Sequence, residues 1–404
     1  MNICLMTKVT LAHSTGGMEV HAKTLSEGLA AQGHSVTLIT TRHPAGIEQE
    51  NVNNVSLHYL AATSPGEYTG GWWQESSLTF TTLHAKVPFD VVAGESISAW
   101  DYARTLRHRC KVPVVPIMQG YTIRGEILSE LNRCSSVKEY ARFLGISLPE
   151  FLFFYYPKFR SLLTSADAII SVSRETSAAL QQEFSLDQKK MAVVYNSVDV
   201  NAFAPNEHLR ASTRAAYRIE PSAKVVLMAG VVHKQKGMHI GLEAFAQLKK
   251  KIPNALLLVA GDGPELSVLK LRAQRFGIDQ AVVFCGNIPN GKLPGIFNAC
   301  DVFLNPTLRY EGLGIVNVEA MACGKPIVAH EIGGVQSTIE EGSTGFLIPP
   351  THKSAPLEDA LAQVLGNERL AATFSLNARN KALKEFSKES MIENYLRIFR
   401  SIIP

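Results

Sequence analysis

Long apolar runs are missing from this sequence. None approaches the ~18 consecutive apolar residues of a membrane-spanning helix, so the chain reads as soluble or peripheral. Paired cysteines are missing too. Cys4, Cys110, Cys134, Cys285, Cys300 and Cys323 form no Cys-x-x-Cys pair. That argues against a zinc site or disulfide frame and for buried, reduced thiols in a cytosolic protein. Excess charge is scarce, at +4 over 404 residues with no concentrated basic stripe. Nothing therefore demands a nucleic-acid partner, while weak attraction to an anionic membrane surface stays open. The first residues, Met1-Asn2-Ile3-Cys4-Leu5-Met6, lack the charged lead, long apolar core and cleavage site of a signal peptide and read as a strand.

What is present is enough apolar residue to build cores: 46% hydrophobic against 19% charged. This length suits two domains of roughly 150–200 residues each. Apolar strand-like runs alternate with helical spacing, which predicts a parallel α/β architecture. Strands are expected at 3–6, 36–40, 91–93, 114–118, 166–171 and 191–195, with a helix at 18–32 after the Gly16-Gly17 turn. The rhythm then restarts. Strands are expected at 224–229, 255–260, 282–285, 302–305 and 326–329, with helices at 239–250, 266–276 and 315–322. Residues 201–222 read as the linker, and 388–403 as an amphipathic final helix.

The stretch 305–326 carries the clearest chemistry. A strand ends near Asn305, and Gly312 and Gly314 stand just before a helix. The first N–H groups of such a helix point outward unpaired, and its dipole adds positive potential, so this end can hold a phosphate. Helical side chains lean towards the N-terminus, which brings Glu319 back to the same end. Like charges repel, so this carboxylate does not bind phosphate, but it can accept hydrogen bonds from vicinal hydroxyls such as those of a ribose. Glu311, before the turn, can meet sugar hydroxyls beyond the phosphates. Alone, two glutamates at this spacing also fit solvated surface positions around an ordinary turn, or the paired carboxylates of a glycoside hydrolase.

The segment resembles the E-x7-E signature of the retaining glycosyltransferases of family 4, which have the two-domain GT-B fold. Other motifs follow in the family's order. They are Gly16-Gly17-Met18-Glu19 with Gly33-His34-Ser35-Val36, and Ala166-Asp167-Ala168-Ile169-Ile170-Ser171. Then come Asn196-Ser197-Val198-Asp199 with Phe203 and Pro205, Lys236-Gly237, Gly261-Asp262-Gly263-Pro264, and Gly286. The resemblance implies a fold of two Rossmann-like parallel-sheet domains facing a central cleft. Residues 1–205 would form the acceptor domain, 206–387 the donor domain, and 388–404 would cross back to the first.

It also implies roles. Glu319 would hold the donor ribose and Glu311 the donor sugar. The backbone of Gly312, Leu313, Gly314 and Ile315 would take the diphosphate, with Lys236 neutralising it. Gly230 and Gly263 belong to the same donor wall, and Gly286 and Asn287 would border the base. Gly16 and Gly17 would face the cleft from the first domain. The donor would be a UDP- or GDP-sugar and the acceptor a hydroxyl on a glycan, lipid-linked or small molecule. Transfer would be front-face and retaining, without a metal or other cofactor, in envelope polysaccharide synthesis at the cytoplasmic side of a membrane.

The sequence departs from the family pattern at three points. Relatives often carry an arginine where Val231 stands; Lys234 and Arg309 are candidate substitutes. Relatives commonly carry a histidine where Gln119 stands, and glutamine hydrogen-bonds but cannot titrate. Glu95 stands at a strand end where relatives often show another histidine; it is read as facing the acceptor or as a surface acid. Two aromatic stretches are weighed as well. Trp72 and Trp73, in the run Tyr68-Thr69-Gly70-Gly71-Trp72-Trp73-Gln74, form an acceptor platform or a packed anchor. Residues 151–160 are read as a buried segment, with a bilayer contact as the alternative. Three rival functions stay open: a phosphorylase or disaccharide synthase of the same fold, a catalytically silent nucleotide-sugar binder, and a glycoside hydrolase.

Overall fold

The computed structural model describes residues 1–14, 16–68, 71–120, 125, 127, 130, 131, 134 and 136–404. It divides into two compact units, Met1–Ser197 with Lys388–Pro404, and Val198–Ser387.

The first unit is built on an eight-stranded sheet in the order β3-β4-β2-β1-β5-β6-β7-β8. Its strands are β1 Asn2–Met6, β2 Ser35–Thr41, β3 Gln49–Val52, β4 Val55–Leu60, β5 Val91–Glu95, β6 Val114–Met118, β7 Ile169–Ser171 and β8 Met191–Val193. Every pairing is parallel except β3 with β4. Central strands are apolar on both faces because both faces are covered. Ile3 and Leu5 join the core under helices Gly17–Ala31 and Lys388–Ile402, with Leu25, Leu29, Tyr395 and Phe399. Cys4 and Met6 join the opposite core, with Trp72, Phe80, Tyr102 and Phe159.

The second unit has a six-stranded parallel sheet in the order β11-β10-β9-β12-β13-β14. Its strands are β9 Lys224–Ala229, β10 Ala255–Ala260, β11 Val282–Gly286, β12 Val302–Asn305, β13 Ile327–His330 and β14 Gly345–Ile348. Val226, Leu257, Val302 and Val328 meet Phe245 and Leu248 of helix Met238–Lys251 in one core.

Three expectations are corrected. The units part at Ser197/Val198, not after Pro205. Residues beyond the break are fastened to the second unit. Arg379 donates to the carbonyls of Val200 and Phe203 at 2.9 and 2.8 Å, and Asn298 to that of Ala204 at 2.9 Å. The stretch 201–222 is no free linker. It contains helix Glu207–Ala216, capped by Asn206, whose Arg210 and Arg214 both pair with Asp301. Residues 151–160 are buried only in part: Phe159 joins the core, while Phe153 is 80% exposed and Leu152 and Phe154 are also exposed. Pro157 stands where a π-helical segment, Glu150–Tyr155, passes directly into helix Tyr156–Ser165.

Candidate functional site

In open parallel sheets, ligands gather at the carboxyl ends of the strands where the strand order reverses. In the second unit that point lies between β9 and β12, which pair directly. The segment after β9 brings Lys236, and the segment after β12 brings Glu311. The two side chains form an ion pair, Nζ to Oε1 at 2.5 Å. Thr307 donates to the same carboxylate oxygen at 3.4 Å. The loop is pinned from two sides. Leu308 N–H donates to the Gln235 carbonyl at 2.8 Å, and Gly334 N–H to the Glu311 carbonyl at 2.7 Å. A Cβ on Gly334 would lie 1.9 Å from the Gly312 carbonyl oxygen, so only glycine allows this approach.

Gly314 precedes helix Ile315–Ala322 in the left-handed conformation, φ 79°, with no side chain capping the helix start. The open N–H groups of that first turn therefore stand free of side-chain competition. Below them, Asn305 donates to Asn317 at 2.9 Å and Asn317 to Thr338 at 3.1 Å, a buried chain that fixes the helix on β12. Glu319 is half-buried, and among the described residues its carboxylate has no hydrogen-bond or ion-pair partner. Burial pushes its carboxyl up to about 8, since nothing nearby compensates the charge. His330, fully buried at the end of β13, contacts the Thr307 carbonyl through Nδ1 at 3.2 Å, and burial lowers its pKa.

The other expected donor residues lie on the same sheet edge. Gly230 and Gly286 follow or end β9 and β11, and Gly261 N–H donates to the Gly286 carbonyl at 2.8 Å. Gly263 sits against the Val232 backbone. Asn287 and Arg309 are exposed, as are Lys234 and Val231. Neither Lys234 nor Arg309 joins the Lys236–Glu311 pair.

In the first unit the strand order reverses between β1 and β5. Gly16 caps helix Gly17–Ala31 with extended backbone, and Gly17 is exposed. Glu95, at the end of β5, is only 3% exposed and is neither a surface acid nor open to an acceptor. Its carboxylate takes His21 Nδ1 at 2.6 Å and Gln119 Nε2 at 3.0 Å. Gln119 Oε1 in turn accepts from Asn196 at 2.7 Å, and Tyr395 meets His21 Nε2 at 3.1 Å.

Trp72 is no platform. It starts helix Trp72–Lys86, is fully buried, and donates its indole N–H to the Ser98 carbonyl at 3.2 Å. Trp73 is half-buried, stacked on Tyr68 and edge-on to Trp100. Thr69 and Gly70 of the same run lie outside the described residues.

Sequence reasoning did not single out His21, Tyr395, Thr307, His330 or the Gly333-Gly334 turn. The last had a signal, a glycine pair shortly after an apolar strand. The histidine and tyrosine had none, because their partners lie 74 and 374 positions away.

Two parallel Rossmann-like sheets, the second with a glycine-led helix end, are the architecture of the GT-B glycosyltransferases. Residues 15–202 match the family model "Glycosyltransferase Family 4", and residues 210–381 the model "Glycosyl transferases group 1". The chain is 33% identical over 230 residues to a GDP-mannose-dependent alpha-(1-6)-phosphatidylinositol monomannoside mannosyltransferase of Mycolicibacterium smegmatis. That match covers 55% of this chain and 59% of the relative's length. A D-inositol 3-phosphate glycosyltransferase of Jonesia denitrificans is 24% identical, over 95% of this chain and 91% of its own. Among solved structures, Anabaena HepE in complex with UDP superposes with a TM-score of 0.77 at 20% identity, over 99% of this chain and 100% of that one. The chain belongs to the group 1 glycosyltransferases of family 4.

Proposed function

We propose that this protein transfers a sugar from a nucleoside-diphosphate sugar to a hydroxyl acceptor, with retention of anomeric configuration and without a metal. The observation that carries the reading is Glu319, a half-buried carboxylate one turn into a glycine-led helix, with no partner among the described residues. Two vicinal ribose hydroxyls supply the donors it lacks. The N–H groups of Leu313, Gly314 and Ile315 then receive the diphosphate, and Lys236 shifts from Glu311 to the phosphate oxygens. Glu311, released from the lysine, is free to hydrogen-bond the transferred sugar. Gly286 and Asn287 border the base.

In this reading the leaving diphosphate takes the acceptor's proton as the new glycosidic bond forms on the face it vacates. Catalysis is positioning plus stabilisation of charge on the leaving group. UDP in the HepE complex and GDP-mannose in the mannosyltransferase's name support a UDP- or GDP-sugar as donor. A silent binder or a hydrolase is separated from a transferase by its products. A thermal-shift screen against UDP-, GDP- and ADP-sugars should show one preferred donor, and slow hydrolysis of that donor without acceptor should release the α-sugar from an α-linked donor. No shift with any nucleotide sugar, or a β-product, contradicts the reading.

A peripheral membrane contact at the cytoplasmic face is part of the proposal. Val137, Leu144, Ile146 and Phe153 are all exposed, beside the exposed Lys138 and Arg142. Anionic vesicles should sediment the protein, and Phe153→Asp should weaken this; equal retention by neutral and anionic vesicles, or by the variant, speaks against it.

A further inference from the structure

One carboxylate oxygen of Glu311 has two donors, held at unequal distances. Lys236 Nζ lies 2.5 Å from Oε1, and the Thr307 hydroxyl 3.4 Å. The same hydroxyl lies 3.5 Å from the Gln235 carbonyl. Both separations exceed the roughly 2.7–2.8 Å usual for an O–H···O bond. A hydroxyl has one proton to give, and here each acceptor is already served by a closer donor. Oε1 has Lys236, and the Gln235 carbonyl has Leu308 N–H at 2.8 Å. Thr307 is fully buried, so its proton has no solvent to turn to, and a loosely bonded buried donor is costly.

The rest of Thr307 is fixed. Its hydroxyl oxygen accepts Arg309 N–H at 3.2 Å. Its carbonyl meets His330 Nδ1 at 3.2 Å. A carbonyl only accepts, so the ring proton sits on Nδ1. The opposite atom, Nε2, is buried and has no partner among the described residues. Burial lowers the pKa of this ring, so His330 stays neutral in that tautomer. It is carried by the end of β13, which pairs with β12, and so clamps the segment that follows β12.

In the transferase reading above, Lys236 leaves Glu311 for the diphosphate. Oε1 then loses its short bond, and Thr307 is the donor that remains to it among the described residues. A small turn of the freed carboxylate closes the gap. We propose that Thr307 is a positioning residue for Glu311, whose hydroxyl takes over the carboxylate once Lys236 turns to the diphosphate, and that His330 holds Thr307 in place for this exchange. The proposal rests on that reading. Both residues act through Glu311, and the loosely bonded hydroxyl of the free protein is the donor kept in reserve.

The test is a set of substitutions in the full chain, read by kcat for donor hydrolysis, by Kd for free nucleoside diphosphate and by Tm. Thr307→Val keeps the shape and removes the hydroxyl. Its kcat should fall at least about tenfold, the loss of one hydrogen bond to a charged group. Kd should stay nearly unchanged, because water reaches Glu311 when no sugar covers it. Thr307→Ser restores the hydroxyl and should recover most of kcat. In a Glu311→Ala background Thr307→Val should cost nothing further, since its effect passes through that carboxylate. His330→Asn offers an N–H at the Nδ1 position and should keep more kcat than His330→Leu, which offers none. Full kcat in Thr307→Val, an equal loss in Thr307→Ser, or an undiminished loss in the Glu311→Ala background overturns the proposal. Equal kcat in the two His330 variants removes His330 from it. A wild-type chain that hydrolyses no donor counts instead against the transferase reading. Tm of the ligand-free protein then reads the exchange directly. Lys236 and Thr307 serve one oxygen, so Thr307→Val should lower Tm more in a Lys236→Ala background than in the wild type. An equal or smaller drop there overturns the proposal.

Discussion

In the second unit Glu319 is a desolvated carboxylate without a partner among the described residues; in the first, Glu95 is a more deeply buried carboxylate with two. Both sit where the strand order of their sheet reverses. The comparison separates two ways of building a polar site. One leaves a group unsatisfied, so that a ligand completes it. The other pairs its carboxylate within the protein, so that the group is held before any ligand arrives. The first kind sets affinity and the second sets geometry.

The Lys236–Glu311 pair stands after the strands on either side of the same reversal point, and removing its lysine has the largest expected effect. Lys236→Ala should lower kcat by about 10²–10³-fold, the cost of losing one donor to developing leaving-group charge, with a smaller loss of nucleotide affinity. Steady-state kinetics beside nucleotide titration checks this, and an equal fall in both would make Lys236 a simple binding residue.

The unpartnered state of Glu319 has a pH signature. Its folded carboxyl is raised to about 8 from an ordinary 4.5. Ribose hydroxyls favour the ionised form, so nucleotide affinity should rise as pH increases towards 8. The slope approaches about tenfold per unit below that pKa, with proton release on binding. Calorimetry in two buffers of different ionisation enthalpy reads the proton directly. Stability moves the other way. Between pH 4.5 and 8 the folded protein holds a proton that the unfolded chain has lost, so stability falls as pH rises through this window. Glu319→Gln removes the titration and should be more stable than the parent near pH 8, and no more so below pH 4.5; melting curves at the two pH values decide it.

The smallest effect is expected at the satisfied site. Gln119→His should not raise kcat. Beside Glu95 the imidazole is drawn to its charged form, which has no acceptor for Asn196. A gain in rate would show that charge, not orientation, limits turnover there.

How much of this was legible in the sequence follows from how far apart the interacting residues lie. The strand and helix alternation was readable because each signal sits in one short window; β9, β10, β12 and helix Ile315–Ala322 fall at the positions expected for them. So was the glycine-led helix end with Glu311 and Glu319, since helical geometry alone returns Glu319 to that end. The hairpin β3–β4 was not, because Gln49–Val52 is a mostly exposed polar strand with little periodicity. Its turn, Asn53-Asn54 with both φ positive, held the only local clue. Trp72 is the packed anchor of the two readings, and the sequence could not choose between them because a tryptophan pair does not tell which ring faces the core. Glu95 was misjudged because its partners come from a helix and a neighbouring strand end, 74 and 24 positions away.

The account's central claim is that the Gly314 helix end, with Glu319, is a nucleotide site. Titrating wild-type protein and Glu319→Ala with UDP and GDP by calorimetry tests it most directly. Hydrogen bonds to a charged group contribute about 1.5–3 kcal/mol each, so the preferred nucleotide should bind the variant at least about tenfold more weakly. Unchanged affinity in a folded Glu319→Ala protein would contradict the assignment.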